Sequence, residues 1–134
     1  MKNKTIVAAI ALVAVFLVGF VPQYVKGNRL ENELRQSRQE AKGAELRDLI
    51  GFAYVQASQK NCGLAAETSS RFFNRVREVA NHTQDADRRK ALEDLLALRD
   101  SVTAALAKGD AAVMGDLQQL FVKVRQVTRS SSEP

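Results

Sequence analysis

The chain has 134 residues, 46% of them apolar, with 7 glycines, 2 prolines and no tryptophan. That suffices for one small domain, and the lack of alternating Val, Ile, Thr or Tyr runs excludes a sheet-built fold in favour of an all-α one. The net charge of +5 would suit a nucleic-acid partner, but 17 of the 20 basic residues share the region beyond residue 28 with all 15 acidic ones. A charge-mixed helical surface is the expectation there, and no nucleic-acid partner.

Residues 6–21 form an unbroken apolar run, counting Gly19. Ile6, Val7, Ile10, Leu12, Val13, Val15, Phe16, Leu17, Phe20 and Val21 are its membrane-spanning candidates. With its flanks the run gives about 24–32 Å of helix, against a hydrocarbon core of about 30 Å. The apolar part of a secretion signal is shorter, and cleavage needs a small-x-small site. The nearest approach here, Val25-Lys26-Gly27, matches poorly. The reading is a retained transmembrane helix with the lipid bilayer as partner. Pro22 is the expected bend near the interface, where Tyr24 also fits.

The single cysteine, Cys62, excludes an internal disulfide and lies too far from the run for a lipid anchor. Sidedness is not decided by charge counting, since Lys26, Arg29, Arg35 and Arg38 outnumber Lys2 and Lys4. The short basic head has the form of a signal-anchor, so the expected topology is single-pass, N-terminus inside. The C-terminal domain is then extracytoplasmic, which in a bacterium means the periplasm.

The next segment, 28–45, is a polar helical stalk. Leu30, Leu34, Ala41 and Ala44 fall on one narrow stripe, interrupted by Ser37. Such a seam permits a weak coiled coil without establishing one. Glu31 and Arg35 are spaced as an i,i+4 ion pair. Beyond it Leu46, Leu49, Ile50, Ala53 and Ala57 broaden the apolar face, so one helix is expected over 28–59. Gly43 and Gly51 inside it suggest close helix packing or a slight bend.

Residues 59–67 break the pattern, with Asn61 or Gly63 as the left-handed cap and Lys60 in the last turn. A second helix over 64–80 carries Ala65, Ser69, Phe72, Val76 and Val79 inward, with Phe73 and Ala80 widening the stripe. Thr83 or Asp85 suits the next helix start. A third helix turns Leu92, Leu95, Leu96, Val102 and Leu106 inward. Gly109 fits its C-terminal cap and Asp110 the following N-cap. A fourth helix buries Val113, Leu117, Leu120, Val124 and Val127, plus Phe121. Short connections favour an antiparallel bundle of about four helices. The division expected is 1–27 anchor, 28–45 stalk, 46–129 bundle domain and 130–134 disordered tail.

Side chains suited to chemistry are sparse. His82 is the only histidine, and Glu78 precedes it by four residues rather than the three of a bundle metal motif. Cys62 and His82 have no evident third group to form a nucleophilic site. Neighbouring carboxylates such as Glu93 and Asp94 point apart on a helix. The glycines are scattered singly, so no phosphate loop is present. Phe72 and Phe73 are expected in the core. No catalytic residue, metal ligand or cofactor is therefore expected.

The function expected is a membrane-anchored helical interaction or scaffold protein, not an enzyme. Leu30 and Leu34 are its contact candidates, and a second copy or another envelope protein is the partner. Two other readings remain open. One is an extracytoplasmic ligand-sensing module working with a partner. The other is a secreted helical protein, if the N-terminal segment is cut.

Overall fold

The computed structural model describes residues 2–129, with the side chains of Lys2 and of residues 20–25 outside the description. Among the described residues there are helices and no strand: α1 Lys2–Ser58, α2 Cys62–His82, α3 Ala86–Leu96, α4 Arg99–Lys108 and α5 Val113–Thr128. The expected all-α class is correct. The chain divides after Arg38 into Met1–Arg38 and Gln39–Pro134, and α1 contributes residues to both units. Pro22, expected as a bend, falls among the residues whose side chains are not described. The tail 130–134 also lies outside the described residues.

The second unit is a helical bundle closed around one apolar core. Leu46, Ile50, Ala53 and Ala57 of α1 meet Phe72, Phe73 and Val76 of α2, with Leu92, Leu95, Val102 and Leu106 of α3 and α4. Leu117, Leu120 and Val124 of α5 complete it. The two phenylalanine rings are fully buried and meet edge-to-face, with centroids 5.1 Å apart.

The α1–α5 contact is antiparallel. Gly43 and Arg47 of α1 lie against Thr128, at the end of α5, while Gly51 lies against Phe121, two turns earlier on α5. Arg47 Nη1 donates to Thr128 Oγ1 at 2.7 Å, and that hydroxyl donates to the Val124 carbonyl at 2.7 Å. A cation at the C-terminal end of α5 also complements the partial negative charge of its unpaired carbonyls. Gly43 permits this seat: a Cβ there would stand 3.0 Å from the Thr128 Cβ.

The turns correct the sequence expectations in detail. Lys60, not Asn61 or Gly63, takes the left-handed position after α1, at φ 62. Its N–H donates to the Ala57 carbonyl and that of Asn61 to the Gln56 carbonyl, both at 2.9 Å, the paired bonds of a Schellman cap. Asn61 instead opens α2, its side chain accepting from the Leu64 N–H. Asp85 caps α3 by accepting from the Asp87 and Arg88 amides. Gly109 closes α4 in the left-handed region, as expected. Asp110 accepts from the Ala112 amide, but a tight turn intervenes and α5 begins only at Val113.

The expected third helix is in fact two. It breaks at Ala97 and Leu98, where the Leu98 N–H reaches only to the Leu95 carbonyl, a tighter i→i+3 turn. Both α3 and α4 contact α2 and α5, so the break lets one apolar segment follow two neighbours. The expected Glu31–Arg35 ion pair is absent, both side chains being exposed. At the surface the entropy of fixing two long side chains offsets most of the Coulomb gain.

Three stability outcomes follow from this packing and these turns. Gly51→Ala, facing only an ordinary 3.8 Å contact with Phe121, should raise stability by about 0.5–1 kcal/mol through helix propensity. Gly43→Ala should lower it by about 1–2 kcal/mol, because the clash with Thr128 involves atoms fixed to two backbones. Lys60→Gly should stabilise by about 1 kcal/mol by relieving the left-handed penalty. Urea unfolding of the three variants reads all three differences.

Candidate interaction surfaces

On the second unit, α1 and α2 border an open groove of about 370 Å³, lined by Glu45, Leu49, Arg71, Asn74, Arg75 and Glu78. The helical spacing of residues 71, 74, 75 and 78 puts these four on one face of α2. Arg75 organises it. Its Nε and Nη2 donate to Glu45 Oε2 at 2.8 and 2.7 Å, tying α2 to α1. Its Nη1 meets Glu78 Oε2 at 2.6 Å, one turn along its own helix. The hydrogen bonds it donates to Glu78 and then to Glu45 raise the Arg75 guanidinium above its ordinary range. The bond from Arg75, reinforced by its charge, holds the Glu78 carboxyl below the usual carboxylate range. The groove can offer hydrogen bonds and balanced charge to a partner.

The sparse reactive side chains are far apart. Cys62 and His82 occupy opposite ends of α2, about 30 Å from each other, so they form no dyad. His82 Nδ1 lies 2.8 Å from the Glu78 carbonyl oxygen and the ring is exposed. Cys62 is half-buried. Among the described residues no group of three or more metal-ligating side chains comes together.

Along the first unit, the described large apolar side chains from Ile6 to Val18 are all 55% or more exposed: Ile6, Val7, Ile10, Leu12, Val13, Val15, Phe16, Leu17 and Val18. Leu30 and Leu34 are 70% and 51% exposed. Phe20 and Val21 lie outside the described side chains. Among the described residues no helix is long and apolar enough to cross a membrane. The apolar stretch they contain, residues 6–19, amounts to about 21 Å of helix, short of the roughly 30 Å required. The expected transmembrane helix thus gains no support from the described residues.

Sequence reasoning did not find the groove. Only the Arg75–Glu78 spacing hinted at it, since the Glu45–Arg75 bond joins residues 30 positions apart on two helices. Stability should carry the signature of Glu78. Its depressed folded-state pKa contributes stability that is present above the ordinary glutamate pKa and lost as pH falls through the folded value. Glu78→Gln should therefore flatten part of the acid limb of a stability–pH curve while leaving the slope between pH ~6 and ~8 unchanged. No protein-family model, curated protein or solved structure matches the chain.

Proposed function

We propose that the chain is a single-pass, membrane-anchored helical interaction or scaffold protein without catalytic activity. The observation that carries this reading is the N-terminal run. Its apolar side chains surround the helix on every side, and each described large one is more than half exposed. A helix apolar all round needs an apolar medium on all its faces, which a bilayer supplies. The full run in the sequence, residues 6–21 with flanks, is long enough to reach across one. Two lysines precede it and Lys26 follows, charges suited to the two interfaces.

The topology proposed is N-terminus inside, with the bundle extracytoplasmic. Binding is the role proposed for the bundle, because its best-organised charged groups are engaged in holding α2 to α1. Leu30 and Leu34 remain the candidates for contact with a partner.

Membranes from cells producing the full chain should retain it through an alkaline carbonate wash. Mass measurement should find the retained chain with residues 1–27 still attached. A chain in the wash supernatant that begins near Asn28 would contradict the anchor and favour a secreted helical protein.

A further inference from the structure

We infer that residues 26–38 of α1 form a parallel, in-register pairing surface for a second copy of this chain. The inference rests on the membrane-anchored reading, which fixes both copies in one bilayer with the same end inward.

The seam is Gly27, Leu30, Leu34 and Ser37, at the alternating three- and four-residue steps of a two-stranded coil. Leu30 and Leu34 stand 70% and 51% exposed in the single chain. Four charged residues flank the seam, Lys26 and Glu33 on one side, Glu31 and Arg38 on the other. All four are exposed, and none makes an ion pair within the described residues.

Their signs select the occupant and its direction. In a parallel, in-register pair, flanking positions meet across the seam toward the next turn of the partner. Lys26 then faces Glu31 of the second copy, and Glu33 faces its Arg38. Both contacts join opposite charges, and two-fold symmetry makes each occur twice. An antiparallel seating with Leu30 over Leu34 would instead set Glu31 against Glu31 and Glu33 against Glu33. Two leucine layers make a short seam, so the pairing depends on the high effective concentration of chains held in one membrane.

Site-directed disulfide crosslinking of the full chain in native membranes tests this, in a Cys62→Ser background. Ser37→Cys, on the seam, should give a crosslinked dimer, whereas Asn32→Cys, on the opposite face, should give little. Adding Leu30→Ser and Leu34→Ser to Ser37→Cys should abolish the dimer. Adding Glu33→Lys should reduce it on the order of tenfold by turning attraction into repulsion in both symmetry-related contacts, and a further Arg38→Glu should restore it. Equal crosslinking at 32 and 37, no crosslinking at 37, or indifference to the leucine and charge changes would overturn the pairing. An alkaline wash of the same membranes keeps the two ideas separate. A chain that stays in the pellet without the seam pattern retains its anchor and loses the pairing. A chain released by the wash counts against the anchor and, because the pairing depends on chains held in one membrane, overturns the pairing as well.

Discussion

The bundle depends on burying one stripe of α1. Leu46, Ile50 and Ala53 are fully buried and Ala57 nearly so, and they present the second unit with its first apolar wall. Leu46 and Ile50 each contribute about 1.5–3 kcal/mol by leaving water, an upper estimate because unfolded chains bury some apolar surface already. The small residues of the stripe let neighbouring helices approach closely. Without that wall the rings of Phe72 and Phe73 and the leucines of α3 to α5 would lose packing partners on one side.

Polar contacts then fix how the later helices lie against α1. Arg47 reaches the last residue of α5, and Gly43 keeps the approach open. Arg75 reaches Glu45 across to α1, and Arg88 bonds Gln39 near the start of the unit. These contacts link residues 30, 49 and 81 positions apart, so they define the tertiary arrangement rather than any single helix. Their individual strengths are modest at a wet surface. They sit at different levels along α1, which resists sliding of one helix past another.

Much of this was legible in the sequence, because a 3.6-residue period records which face of a helix meets the core. The stripes on α2 and α5 were read correctly almost residue by residue. The break at Ala97 and Leu98 was not, since Leu92, Leu95, Leu98, Val102 and Leu106 keep helical spacing straight through it and neither Gly nor Pro marks it. The left-handed Lys60 was missed for a related reason: Asn61 and Gly63 beside it are the usual carriers of that conformation, and the hydrogen bonds to Gln56 and Ala57 decide the matter. Of the groove around Arg75 only the Arg75–Glu78 spacing is legible, because pairing between α1 and α2 follows from their packing and not from local spacing.

The two ends of α1 face opposite physical requirements. Between residues 39 and 58 the bundle covers one apolar stripe, Leu46, Ile50, Ala53 and Ala57, while Phe52, Tyr54 and Val55 stand exposed on other faces. From Ile6 to Val18 they surround the helix and stand exposed. The proposed function resolves that contrast by assigning the first end to lipid. Amide hydrogen exchange of the full chain, with and without lipid vesicles, measures this directly. Strong slowing at residues 6–19 on adding vesicles, with protection of the bundle unchanged, is the expected result. Equal and rapid exchange of those amides in both conditions would contradict it.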